Sequence, residues 1–107
     1  MVEPKLPWGP VYWSMIHNTA LNYPDRPTDA EKARFKAFFE HLEHVIPCPI
    51  CRQHYAQNLQ MHPIVEGLRS RMDLFVWSVE LHNAVNEQLG KRKHTIKQAL
   101  ALWTKPK

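Results

Sequence analysis

Helix starts and stops are marked along this chain more densely than any other signal, and they constrain the fold first. Thr28 with Glu31 and Thr95 with Gln98 both have capping-box spacing, in which the Thr oxygen accepts a backbone N–H and the Glu or Gln side chain reaches back to the cap. Ser70 followed by Asp73 resembles a third cap. Pro10 and Pro49 fit first turns, where proline forfeits no intrahelical hydrogen bond, whereas Tyr23-Pro24-Asp25-Arg26-Pro27, Pro47 and Met61-His62-Pro63 interrupt helical pattern. No run of β-branched residues alternates with polar ones, so a sheet is not expected.

These marks predict an all-α fold. The first helix runs from about Val11 to Asn22, the second from Thr28 to Pro47, and the third from Cys48-Pro49 to about Leu59. A fourth spans about Arg71 to Leu89 with Gly90 as its left-handed stop, and a short fifth follows Thr95, carrying Leu100, Leu102 and Trp103. In the second helix Phe35, Phe38, Phe39, Leu42, Val45 and Ile46 recur at three- and four-residue steps, which makes one face the best core candidate. Four helices and a short fifth form a four-helix bundle with an added cap. At 107 residues the chain has the size of one domain, and no repeat, low-complexity tract or linker divides it, so residues 1–107 are read as a single module.

Bulk properties narrow the function only a little. Hydrophobic residues at 44% and charged residues at 22% are ordinary for a soluble globular chain, and no stretch approaches the roughly 18 apolar residues of a membrane span. The opening MVEPKLPWGP has neither an apolar signal core nor the Arg-rich character of a transit peptide, so no targeting segment is expected there. A net charge of +4 would suit nucleic acid, an acidic membrane surface or a phosphorylated cofactor. The only dense basic run, Lys91-Arg92-Lys93, is short for a nucleic-acid arm, and no nucleic-acid partner is expected. Two cysteines are too few to staple a scaffold, which leaves packing to hold the core.

The spacing of those two cysteines carries the chemistry. Cys48-Pro49-Ile50-Cys51 at a helix start puts both sulfurs in one turn, close enough for a reversible disulfide. The free N–H groups and positive dipole potential of that terminus are expected to stabilise a thiolate and lower its pKa. From spacing alone, redox and zinc readings stand about equal. Zinc needs two more ligands, and His54, His62, His82 and His94 show neither a paired-histidine spacing nor a second Cys-x-x-Cys, so no metal ligands are assigned. A thioredoxin-like protein would need a β-α-β pattern that is absent. The alternative of a small helical zinc or nucleic-acid binding module remains beside the redox reading, as does an inert helical adaptor.

His82, Asn83, Val85 and Asn86 lie within little more than one helical turn and could hydrogen-bond a heterocycle, although periodicity alone reads them as a solvated polar edge. Trp13 and His17, four apart, would form an aromatic patch, with Trp103 a further ring; by pattern each of these is more often a plain core residue, and so are Trp8 and Tyr12.

Together, Trp8-Gly9-Pro10-Val11-Tyr12-Trp13-Ser14-Met15-Ile16-His17, Pro47-Cys48-Pro49-Ile50-Cys51-Arg52-Gln53-His54 and His82-Asn83-Ala84-Val85-Asn86 resemble the Erv/ALR family of FAD-linked sulfhydryl oxidases. Tyr23-Pro24, Leu89-Gly90-Lys91 and the late Trp103 follow in matching order, so the resemblance spans about residues 8–103. It implies a four-helix bundle with a short fifth helix enclosing FAD. It implies that Trp13, His17, His82, Asn83, Val85, Asn86, Lys91 and Trp103 line the cofactor, with Gly9, Tyr12, His54, Gly90 and Lys93 as further candidates. Cys51 then looks like the flavin-proximal sulfur and Cys48 like the one that exchanges with substrate. The implied reaction makes disulfides in protein thiols and passes the electrons through FAD to dioxygen, giving hydrogen peroxide.

Relatives commonly carry a second, mobile Cys-x-x-Cys and structural disulfides, and this sequence has only Cys48 and Cys51. Substrate would therefore reach Cys48 directly or through a separate dithiol shuttle protein. Pro10 also stands where many relatives have a basic residue. The minimal form is similar to the oxidases of large DNA viruses, which implies action in the host cytoplasm or the virion; a mitochondrial intermembrane-space enzyme would read almost the same. The family implies a homodimer through the first two helices.

Overall fold

A computed structural model describes residues 8–104; the ends of the expected 1–107 module and the Trp8 side chain lie outside the described residues. The described chain is all-helical: α1 Trp8–Leu21, α2 Asp29–Val45, α3 Pro49–Met61, a 3₁₀ turn Ile64–Gly67, α4 Arg71–Gln88 and α5 Ile96–Trp103. Both capping boxes form, at Thr28 with Glu31 and at Thr95 with Gln98, and Ser70 caps α4 through the Asp73 N–H. Helix α1 starts three residues before the expected Val11, because Pro10 falls within a first turn whose N–H groups have no intrahelical partner to lose. The third helix runs on to Met61, past the expected Leu59.

Helix α1 packs chiefly on α4, α2 packs on α3, and α5 closes the end against α1 and α4. The middle of the bundle is α4, which buries Leu74, Phe75, Trp77, Ser78, Val79, Leu81 and Asn86. Phe39, Leu42 and Ile46 from α2 and its C-cap reach the core, but Val45 is 59% exposed. The sunken positions keep three- and four-residue steps, and Val45 falls one residue off that line.

Two features fix the ends of α4. The connector before it approaches so closely that a Cβ on Gly67 would lie 2.8 Å from Trp77 Cβ, which restricts that position to glycine. At the other end Gly90 adopts φ +69°, and Gly90 N–H and Lys91 N–H donate to Glu87 O and Asn86 O in a Schellman stop. The basic residues Lys91, Arg92 and Lys93 follow directly on that stop.

Candidate active site

Pro47 interrupts α2, and the chain turns at once. Cys48 N–H donates to Ile46 O at 2.8 Å, and Arg52 Nε donates to the same carbonyl at 2.6 Å. The doubly held carbonyl places Cys48 as the N-cap of α3, with Pro49 pre-organised at the first helical position. Cys48 Sγ accepts the Cys51 N–H at 3.4 Å, in the role a serine hydroxyl usually fills. Both cysteines are half-buried free thiols, and exposed Pro49 and Ile50 stand beside them.

The two sulfurs belong to different environments. Cys51 lines a cavity of about 610 Å³ formed by α1, α3, α4, α5 and the segment after Gly90, while Cys48 is not on its wall. Burial pushes the Cys51 thiol up to about 11, helped by the hydrogen bond to Cys48 and its charge. The expectation of a thiol acidified by the helix terminus is therefore overturned at Cys51: burial outweighs the terminus there.

The cavity has the size of a cofactor site. Trp13 lies flat on His82, ring centroids 3.9 Å apart and planes 7° from parallel. Trp103 adds a ring, and Lys91, Arg92 and His94 bring basic groups, while none of the lining side chains is acidic. Behind this wall a chain of polar contacts runs inward: His82 Nδ1 meets His17 Nε2 at 2.9 Å, His17 Nδ1 meets Ser78 Oγ at 2.9 Å, and Ser78 Oγ lies 2.6 Å from Phe75 O. His17 is buried and is driven down to about 3 by that burial, then by the charges of His82 and His94. His82 is lowered to about 4, again first by burial and then by His94 and Lys91. Both imidazoles are neutral at neutral pH.

The structure brings Gly9, Tyr12, Trp13, Cys51, His54, His82, Val85, Asn86, Lys91 and Trp103 together on this cavity. The solvated-edge reading of the α4 cluster fails, since Asn86 is only 6% exposed and His82 is committed to His17. Four expected residues are not on the main wall. His17 and Asn83 border a neighbouring 90 Å³ pocket, Gly90 makes the turn, and Lys93 Nζ pairs with Glu87 Oε2 at 3.0 Å. Asn83 instead grips the backbone: its Nδ2 donates to His94 O at 2.7 Å, and its Oδ1 accepts His94 N–H at 2.8 Å.

Sequence reasoning missed Pro10, Ile16, Ile46, Tyr55, Leu89, Arg92 and His94 on the wall. Arg92 had a signal, lying between two lysines already singled out. Ile46 and Tyr55 had none, because an apolar residue beside a cavity reads like one in a core. For the zinc alternative, no group of three or more His, Cys, Asp or Glu side chains among the described residues could hold a metal ion. Among those residues, no helix is long and apolar enough to cross a membrane.

A model of the Erv1/Alr family matches residues 10–104, which includes the whole cavity wall except Gly9. The chain belongs to the Erv1/Alr family. It is 39% identical over 94 residues to a protein of Acanthamoeba polyphaga mimivirus named as a probable FAD-linked sulfhydryl oxidase, covering 87% of this chain and 66% of that one. With the mitochondrial FAD-linked sulfhydryl oxidase of Saccharomyces cerevisiae it shares 37% identity over 82 residues, 76% of this chain and 42% of the yeast protein. The chain thus spans less than two thirds of the length of these two Erv1/Alr relatives. In three dimensions it superposes on the crystal structure of the yeast Erv1 core with a TM-score of 0.85 at 30% identity, covering 95% of this chain and 86% of that one. The Erv1/Alr bundle expected from the resemblance is the fold observed.

Proposed function

We propose that this chain is an FAD-dependent sulfhydryl oxidase, a single module that makes disulfide bonds in protein thiol substrates. Two substrate thiols become a disulfide, and the two electrons pass through Cys48 and Cys51 to FAD and then to dioxygen, which with two protons becomes hydrogen peroxide. The observation that carries the reading is the split dithiol, with Cys51 on the cavity wall and Cys48 off it beside exposed Pro49 and Ile50. The names of the mimivirus and yeast relatives support the activity and the cofactor. A yeast neighbour described as the FAD-binding domain of Erv1, with a TM-score of 0.85 at 28% identity, supports the cofactor further.

The lining residues themselves fit FAD. Flat rings suit a wall of Trp13, His82 and Trp103, and a diphosphate suits a cavity that has basic groups and no acidic one. We assign Lys91 and Arg92 to phosphate charge, and Tyr12, His54 and Asn86 to polar contacts. Gly9 and Val85 supply close approach and apolar surface. His17 and Asn83 act from behind the wall, Gly90 through the turn it makes, and Lys93 from its ion pair on the rim. When bound, FAD supplies a two-electron acceptor that reacts with dioxygen.

On this reading the protein's own steps are thiol–disulfide exchanges. A substrate thiolate attacks Cys48 Sγ of the Cys48–Cys51 disulfide, forming a mixed disulfide and releasing Cys51 as the leaving sulfur. A second substrate thiol attacks the substrate sulfur of that bond and releases Cys48 with the substrate oxidised. The reduced pair is then reoxidised from the cavity side. Cys51, protonated at neutral pH by its raised pKa, must lose that proton as its electrons leave.

We assign to Cys48, as its partner, a protein thiol substrate or a separate dithiol shuttle protein. A homodimer through α1 and α2 is supported by Val11, 62% exposed, and Met15, 38% exposed, one turn apart on α1. The mimivirus relative supports a viral enzyme, which we place in the host cytoplasm or virion, and the yeast relative supports a mitochondrial one, for which the intermembrane space is the alternative.

Purified protein should be yellow with bound FAD, and it should consume oxygen when given dithiothreitol, with hydrogen peroxide as product. Colourless protein that takes up no FAD, or flavin-loaded protein that takes up no oxygen with thiol, would overturn the reading.

A further inference from the structure

The inward chain behind the aromatic wall has a direction that its chemistry dictates. Phe75 O can only accept, so its 2.6 Å contact with Ser78 Oγ uses the one proton of that hydroxyl. Toward His17, Ser78 can then only accept, and His17 Nδ1 must donate across 2.9 Å. A neutral His17 is left with a lone pair on Nε2, which accepts from His82 Nδ1, also at 2.9 Å. A neutral His82 then has no proton on Nε2. Ser78 is fully buried and His17 is 1% exposed, so water does not compete for either partner. Among the described residues every buried side-chain nitrogen and oxygen has a partner, as this assignment requires.

We propose that Ser78 is a positioning residue for the cavity wall: by giving its proton to Phe75 O it fixes His17, and through His17 also His82, in the Nδ1–H tautomer, which keeps His82 Nε2 a hydrogen-bond acceptor. The ring held this way is the one on which Trp13 stacks. It is also a residue that faces both the main cavity and the smaller pocket beside it. Burial opposes a charge on either ring, and so does His94, while Lys91 opposes one on His82. A ligand that reaches His82 is therefore met by a neutral acceptor and is matched by an N–H or O–H donor. That role in cofactor binding rests on the flavin reading of the cavity, whereas the tautomers themselves do not.

The test compares wild-type protein, Ser78→Ala and Ser78→Thr by ¹H–¹⁵N NMR of the histidine side chains, together with FAD affinity by titration. Wild-type protein should show both His17 and His82 protonated at Nδ1. In Ser78→Ala the Nδ1–H of His17 loses its acceptor, so both rings should reverse to the Nε2–H form, and the dissociation constant for FAD should rise about tenfold, the scale of one hydrogen bond. Ser78→Thr keeps the hydroxyl and should restore the wild-type tautomers and affinity. Nε2–H at either ring in wild-type protein, or unchanged tautomers in Ser78→Ala, would overturn the assignment. Reversed tautomers with unchanged FAD affinity would overturn the positioning role. FAD that fails to bind wild-type protein would overturn the flavin reading and leave the tautomer assignment standing.

Discussion

At the start of α3, two half-buried thiols stand at a helix end beside exposed Pro49 and Ile50, and Cys48 Sγ takes one long contact from the Cys51 backbone N–H. Between α1 and α4, by contrast, His17 and Ser78 are sealed from solvent and each polar atom is committed. The first region has groups that must meet another molecule, so it tolerates exposure. The second has groups that must stay put, and buried polar groups are held by the cost of leaving any one of them unpaired. The difference teaches that reactivity and stability are separated in this molecule: the thiols can be removed with little effect on the fold.

The largest effects should come at the thiols, and only on activity. Cys51→Ser and Cys48→Ser should each reduce thiol-driven oxygen uptake to background. Urea unfolding of both variants should stay within about 0.5 kcal/mol of wild type, because serine is as good an N-cap as cysteine and neither sulfur is deep in the core. A Cys48 variant that loses stability as well as activity would break the separation.

The buried region, by contrast, should lose stability when it is altered. Gly67→Ala forces a Cβ to 2.8 Å from Trp77 and should cost about 1–3 kcal/mol in urea unfolding. His17→Leu, which leaves Ser78 and His82 without their shared partner, should cost about 1–3 kcal/mol. Wild-type stability in either variant would mean that this region is no more constrained than the thiol end.

Acid should sharpen the contrast. Both His17 and His82 have folded values below the usual 6.5, so above pH 6.5 neither the folded nor the unfolded chain protonates them and the stability is complete. As pH falls below 6.5 the unfolded chain binds protons first, and stability drops toward about pH 4 for His82 and about pH 3 for His17. The slope should approach 1.4 kcal/mol per pH unit for each group protonated only when unfolded, about the value of one proton. A flat urea midpoint between pH 6.5 and 4 would contradict a buried neutral pair.

The smallest effect is at Cys51, where alkylation of reduced protein followed by peptide mapping should show a rate still climbing at pH 10, toward its value near 11. A plateau by pH 9 would mean that the helix terminus governs this sulfur after all.

What the sequence disclosed divides along the same line. Caps at Thr28, Ser70 and Thr95, the proline after Cys48 and the glycine after α4 are local devices, each acting within a few residues, and all formed where their spacing indicated. The thiols were legible for that reason. Ser78 was not, because its partner His17 is 61 residues away and a serine within an apolar stretch carries no mark of what it will meet. The 3₁₀ turn Ile64–Gly67 was hidden in the same way, since it exists to pass Trp77 closely and nothing in its own residues says so. Of the cofactor residues named through resemblance, ten line the cavity and four do not. Those acting through the backbone, such as Asn83, were identified without their role.

The segment between Gly90 and His94 is tied at both ends, by Lys91 N–H to Asn86 O at one and by the two bonds from Asn83 to His94 at the other. A chain pinned at two points on one helix has a set length and little slack, so it works as a ruler. It sets where Lys91 and Arg92 meet the cavity, and one residue added between the pins would misplace both charges while the helical part of the wall remained in position.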